Sequence, residues 1–176
     1  FIRGLGFNRV FGVDINHSVL HISGEKGNTV TATIHDQPFA NDSMDASVSF
    51  HTLEHTVGQG KHEAISNLHT VFSELARITK NDGRSLLVFP NPWVNRREGA
   101  LVDTLTEEKL HEKPILEYPR ALIRAWAEAG KLHPHRLTRK MIREALRDTP
   151  WQIEQYYSMF VGEEGGRSWV LELRKR

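Results

Sequence analysis

The sequence predicts an α/β fold: a mostly parallel sheet with helices on both faces, finished by an antiparallel last strand. Three observations lead there. Strand-like runs recur at Arg9–Asp14, Thr29–Ile34, Ala46–Phe50 and Ser85–Phe89, the last of them ("SLLVF") the most apolar in the chain. Between the third and fourth runs, Ile65, Leu68, Phe72 and Leu75 recur at three- and four-residue intervals, the stripe of a helix over Lys61–Thr79 with one face on a core. The chain then closes with two further runs, Trp151–Gly162 and Arg167–Arg176, joined through the glycines from Gly162 to Gly166. Strands alternating with helices across short connections imply parallel pairing, whereas a short glycine-bearing turn between two strands implies an antiparallel pair.

Each element has a local reason. Val10, Phe11 and Val13 give the first strand the continuous apolar character of a strand covered on both faces, and Asp14 is the first ionised group at its C-terminal end. His17–Ser23 suits a short helix, and Gly24 to Asn28 a turn. "TVTATI" is β-branched and alternating. "DQPFANDSMD" is a loop, since Pro38 and Asp42-Ser43 oppose regular structure. Asn81-Asp82-Gly83 stops the long helix. Residues 90–119, with two prolines in "PNPW" and only a weak helix in "TEEKLHE", form an insertion over the strand ends, a variable lid or substrate segment in which Trp93, Arg96 and Arg97 overhang the cleft. "PRALIRAWAEAG" presents Leu122, Ile123 and Trp126 on one face between Pro119 and Gly130. Thr138 caps a last helix whose core face is Met141, Ile142, Ala145 and Leu146.

The bulk numbers fix the class. A length of 176 residues suits a single domain, 1–176, and 39% hydrophobic with 26% charged residues is the balance of a folded globular chain. A net charge of +1 supplies no general attraction to nucleic acid or to a membrane surface. The chain contains no cysteine, which removes disulfide, thiolate-metal and thiol-nucleophile chemistry together. No run approaches the ~20 apolar residues of a membrane span, and no charged-then-apolar leader is visible, so the expected location is the cytoplasm.

A carboxylate at the C-terminal end of a parallel strand lies where ligands bind in open α/β sheets. Asp14 is therefore a candidate to accept hydrogen bonds from sugar hydroxyls; the competing role is capping of the helix that follows. "HTLEH" places His51 and His55 four apart at the end of the third strand, where an imidazole can act as general base. The competing role for both is a hydrogen-bonded helix start. The same spacing suits zinc on a helix, but no third ligand stands nearby, and no metal site is expected. Asp45 opens its strand at the edge away from the chemistry and reads as a turn and capping residue. Lys131 to Arg147 holds six Lys or Arg against one Glu, which on an outer helix face is ordinarily solvated charge.

Taken together, "FGVDI", "QPFANDSMD", "TLEH", "TKNDG" and "LLVFPNP" resemble, in order and spacing, the motifs of the class I S-adenosylmethionine-dependent methyltransferases, specifically the small-domain group with an LPF, SFD and LEH pattern. The likeness runs from Leu5 to Val170. It implies a Rossmann-like fold, S-adenosyl-L-methionine as methyl donor and a small-molecule acceptor. It also implies donor contacts: Asp14 to the ribose, Ile15 on the adenine, Thr33 and Ile34 at the adenine edge, and Phe50, His51 and Leu53 along the methionine portion. Thr33 stands where the pattern has an aspartate, and Asp36 is the candidate to replace it if the loop is displaced.

The family's first strand and its glycine-rich loop have no counterpart. Gly4 and Gly6 run directly into a strand and read as a helix stop and turn, so roughly one βα unit, about 30 residues, is expected upstream of Phe1. Without it the strands ending at Asp14 and Phe50 either pair directly or leave open edges, and the chain as given is expected to hold the donor poorly. Two other functions fit the same residues: a non-catalytic methyltransferase-like fold used for protein contacts, and RNA methylation through the basic stretch, with nucleic acid the less favoured partner.

Overall fold

The structure is a computed structural model that describes residues 9–16, 20, 28–56, 60–90, 137–161 and 166–176. Expectations for Gly4 and Gly6, for the helix at 17–23, for Trp93, Arg96 and Arg97 with the rest of 91–119, for the helix at 119–130 and for Lys131–Arg136 lie outside those residues.

The described elements are β1 (Gly12–Asp14), β2 (Thr29–Thr31), β3 (Met44–Phe50), α1 (Leu53–Thr56), α2 (Lys61–Ile78), β4 (Thr79–Pro90), α3 (Arg139–Ala145), β5 (Trp151–Val161) and β6 (Gly166–Lys175). They form two sheets. β1 pairs in parallel with β2, and the other sheet has the order β3-β4-β6-β5. Within it β3 and β4 are parallel, while β6 runs antiparallel to both β4 and β5. The expected antiparallel last strand is therefore present, with Leu87 opposite Leu171 and Val88 opposite Val170.

The core lies on one face of the four-stranded sheet. α2 buries Ala64, Leu68, Val71, Phe72 and Leu75, and α3 buries Met141, Ile142 and Ala145; both meet Leu87, Phe89, Leu171 and Leu173 from the strands. Ile65, expected on the buried stripe of α2, is only partly buried, and Ala64 and Val71 take up the seam beside it. Thr138 caps α3 as expected, its Oγ1 accepting from the Met141 N–H at 3.2 Å. Trp151 donates through Nε1 to the Phe72 carbonyl at 2.8 Å, and His69 Nδ1 lies 2.9 Å from the Ala145 carbonyl, so polar groups tie α2 to β5 and to α3 within the apolar layer.

β1 spans only Gly12–Asp14 and buries none of Val10, Phe11 and Val13 fully, because one face borders the cavity rather than a packed layer, and β3 starts at Met44 rather than Ala46; two further elements differ from the sequence reading. β4 starts at Thr79 rather than Ser85, because Met44 pairs with Thr79 before Ala46 pairs with Arg84 and residues 80–83 bow out of the ladder. Asp82 takes a left-handed φ of 62° there. A side chain at Gly83 would sit 2.8 Å from the Lys80 carbonyl and 2.9 Å from that of Asp45, so only glycine fits the turn. β2 ends at Thr31 rather than Ile34. Ala32 N–H still donates to the Asp14 carbonyl at 3.1 Å, but Thr33 then bridges back to Asp36 in a local turn.

Among the described residues no ladder joins β1 to β3. The His51 N–H donates to the Val88 carbonyl at 2.8 Å. Because alternate residues of a parallel strand bond to opposite neighbours, the amides of Ala46, Val48 and Phe50 point away from β4, toward the side on which β1 lies.

Candidate functional site

A cavity of about 720 Å³ occupies the space between the two sheets. One wall is Val10, Phe11 and Val13–Ile15 from β1 and its approach, the other is Ala46–His51 from β3, and Leu75 and Ile78 of α2 contribute from the core side. Its size falls within the range of small-molecule sites. Three exposed apolar side chains face it: Ile15 (73% exposed), Phe50 (56%) and Val48 (41%).

At the end of β1, Asp14 turns its Oδ1 onto the Asn16 N–H at 2.7 Å. This is the capping role weighed against ligand binding, and it occupies a single oxygen. Oδ2 accepts from no described residue. The carboxylate is thus fixed in orientation by the turn that follows it, with an acceptor left at the cavity.

Thr33 and Ile34 also line the cavity. The Thr33 hydroxyl accepts from the His35 N–H at 3.2 Å, so the oxygen that stands in place of the family's aspartate already serves its own turn. Asp36 is exposed and does not line the cavity, which leaves its proposed replacement role without support from the geometry.

The loop after this turn is held by a clasp the sequence did not show. Arg77 donates from Nη1 to the carbonyl of Phe39 at 2.7 Å and to Asn41 Oδ1 at 2.9 Å, and from Nη2 to the Gln37 carbonyl at 2.8 Å. Glu74 accepts from Arg77 at 2.7 Å and from the Gln37 N–H at 2.6 Å. Those bonds hold the Glu74 carboxyl below its ordinary range, the Arg77 hydrogen bond being the main cause, and raise the guanidinium of Arg77. The loop in turn places Gln37 and Phe39 on the cavity, and Phe39 packs on Phe11 with ring centroids 5.4 Å apart. No sequence signal marks the clasp beyond an Arg three residues after a Glu on one helix face.

At the end of β3 the chain turns sharply. His51 has a left-handed φ of 49°, uncommon for a side-chain-bearing residue. Its Nε2 lies 3.1 Å from Ser168 Oγ on β6, and its Nδ1 lies 3.9 Å from Glu54 Oε1 on α1. Burial, with a smaller push from His55, lowers the imidazole's pKa. Glu54 is 7% exposed, and its Oε2 is buried with no hydrogen-bond partner. Desolvation drives its carboxyl up to about 7, against a weaker pull from its own backbone amide.

The expected site residues thus divide. Asp14, Ile15, Thr33, Ile34, Phe50, His51 and His55 all line the one cavity. Leu53 does not: it is 1% exposed and belongs to the hydrophobic core. Asp45 pairs with Lys80 at 2.7 Å, away from the cavity. Among the described residues no group of three or more His, Asp or Glu side chains is arranged to hold a metal. Nor is any helix among them long and apolar enough to cross a membrane. Arg139, Lys140, Arg143 and Arg147 of the basic stretch are exposed on and just beyond α3, with Arg139 lying over the Tyr156 ring at 5.4 Å.

The family described as "Methyltransferase domain" matches residues 2–87, just under half of the chain. No curated protein matches the sequence significantly. Solved structures match nearly all of it in fold. A protein solved in work on the conversion of a disulfide bond into a thioacetal group during echinomycin biosynthesis superposes with a TM-score of 0.65 at 12% identity, covering 99% of this chain and 69% of that one. An S-adenosylmethionine-dependent methyltransferase from Methanosarcina mazei gives 0.56 at 18% identity, covering 95% and 82%. Geranyl diphosphate methyltransferase in complex with S-adenosylmethionine gives 0.54 at 14% identity, covering 96% and 68%. The chain thus shares the Rossmann-like α/β fold of these proteins, and over residues 2–87 it is similar to the methyltransferase domain family.

Proposed function

We propose that this chain transfers the methyl group of S-adenosyl-L-methionine to a small-molecule acceptor, with the donor laid across the C-terminal ends of β1, β2 and β3. One observation carries the reading: Asp14, a carboxylate oriented by its own turn and with one oxygen unbonded among the described residues, at the end of a parallel strand and on the wall of a cavity of about 720 Å³. Asp14 Oδ2 suits the ribose hydroxyls, and Ile15, whose side chain is exposed in the cavity, offers an apolar face to the adenine. Phe50 and His51 lie along the sulfonium-bearing portion. The donor supplies an activated methyl group. The chain's share of the work is orientation and exclusion of water, since displacement at a sulfonium needs the nucleophile held in line.

Among the described residues no ladder joins β1 to β3, which supports the expectation that a further strand and its loop complete the cavity. With Thr33 committed to its own turn, the donor is expected to bind weakly. Calorimetric titration with S-adenosylhomocysteine tests the reading. Binding that Asp14→Ala weakens by tenfold or more supports it. Binding unaffected by Asp14→Ala removes the donor from this wall. The Thr33 turn favours one other reading, a methyltransferase fold kept for protein contacts, for which the titration would show no binding at millimolar ligand.

A further inference from the structure

We infer that Glu54 and Ser168 are positioning residues that hold His51 as the proton acceptor of the methyl-transfer step, and that the acceptor is accordingly a nucleophile with a proton to lose, a hydroxyl or an amine. The inference rests on the donor placement proposed above and adds to it the direction in which the proton leaves.

Three features of the geometry converge on His51. Its backbone is held in a left-handed turn at the end of β3, which swings the ring to the cavity wall. Its Nε2 is tied to Ser168 Oγ, a hydroxyl that is 1% exposed on β6, so the ring plane is fixed from behind. Its Nδ1 stands 3.9 Å from Glu54 Oε1, beyond hydrogen-bond length and close enough for a charge on either group to act on the other. A structural tie alone would be served by the Ser168 bond. It leaves unexplained a carboxyl buried beside the ring with Oε2 unpartnered.

Among the described residues, few polar groups face the pair. On α1 the other titratable group is His55, which lines the same cavity. From α2, which packs on α1, the polar group that reaches across is Asn67, and it donates to the Thr56 carbonyl at 3.0 Å. From β4 the contact is the Val88 carbonyl, which takes the His51 N–H. Burial is the main influence on both groups, with His55 acting on His51 as well, and the 3.9 Å approach leaves each open to a charge on the other. Burial keeps the carboxyl protonated into the neutral range, as its raised pKa reflects. Once ionised, it stabilises an imidazolium next to it. In the step, the bond from the acceptor's oxygen or nitrogen to the methyl carbon forms as the carbon–sulfur bond breaks, and that electron pair passes to sulfur. The acceptor's proton passes to His51 Nδ1, the ring nitrogen not engaged by Ser168, while Nε2–H donates to Ser168 Oγ, and the positive charge then lies beside the ionised Glu54 carboxylate.

Carbon and proton NMR titration of the whole chain reads this couple without any knowledge of the acceptor. The expected result is a Glu54 carboxyl that titrates near 7 with a matching inflection in the His51 ring signal at the same pH. In Glu54→Gln that inflection disappears and the His51 midpoint falls by about one unit, a tenfold change in proton affinity. In Ser168→Ala the His51–Glu54 inflection persists while the ring signal broadens. A His51 titration with no inflection at the Glu54 midpoint, or one unchanged in Glu54→Gln, overturns the inference. Since the wild-type titration needs no variant to fold, and no donor, its failure is distinct from failure of the donor site, which S-adenosylhomocysteine binding reports separately.

Discussion

Glu54 shows how a single buried group makes stability depend on pH. Its carboxyl is raised to about 7 in the folded chain by desolvation, against 4.5 as the ordinary value. For an acid raised by folding, the folded state binds the proton more tightly. Stability is therefore highest below the unfolded value and is lost as pH rises from about 4.5 to 7. Glu54→Gln removes that loss. Relative to wild type, its stability by chemical denaturation is expected to improve by about 2 kcal/mol between pH 4.5 and pH 8, screening included. No change across that range would mean that the carboxyl is solvated. At Thr33 the same scale of argument predicts a small effect. Thr33→Asp restores a charged acceptor at the adenine edge, one hydrogen bond worth about 1 kcal/mol, so titration should show S-adenosylhomocysteine binding tighter by tenfold or less. That Asp14, Thr33 and His51 line the cavity could be anticipated from their places at the ends of strands. The state of Glu54 could not, because burial is made by residues distant in sequence.

At the scale of elements, α2 both builds the core and shapes the cavity. Its buried stripe meets the sheet, and its Glu74–Arg77 pair grips the loop that carries Gln37 and Phe39. Arg77→Ala strips Glu74, which is 10% exposed, of its cation and leaves two loop carbonyls without their donor. The expected loss is about 2–3 kcal/mol in denaturant unfolding, with weaker S-adenosylhomocysteine binding as the loop loosens. The helix, its period and the Thr138 cap were legible in the sequence because each depends on neighbours within a turn or two. The clasp was not, because its partners lie some 36 to 40 residues away along the chain. The early start of β4 was hidden for a related reason: Asn81-Asp82-Gly83 does break regular structure, but it does so as a bow within a strand rather than between a helix and one.

For the whole molecule, the division into a two-stranded and a four-stranded sheet separates a packed side from an open one. Leu87, fully buried between α2 and β6, and Val48, 41% exposed on the edge of β3, report on the two sides. Leu87→Ala is expected to cost about 2–5 kcal/mol, whereas Val48→Lys should change stability by about 0.5 kcal/mol or less. A large loss at Val48 would show that the edge is covered in solution. The parallel pairing of β3 with β4 and the antiparallel closure by β6 followed from the sequence, since the alternation of strands and helices and the glycine-bearing turn before the last strand are local signals.

The most direct test of the account is where S-adenosylhomocysteine touches the chain. Chemical-shift mapping of the whole protein with millimolar ligand registers weak binding as well as tight. The account predicts shifts gathered at Asp14, Ile15, Thr33, Phe50 and His51, at the strand ends around the cavity, and their loss in Asp14→Ala at the same ligand concentration. Shifts confined to other surfaces, or the same shifts in Asp14→Ala as in wild type, would contradict it.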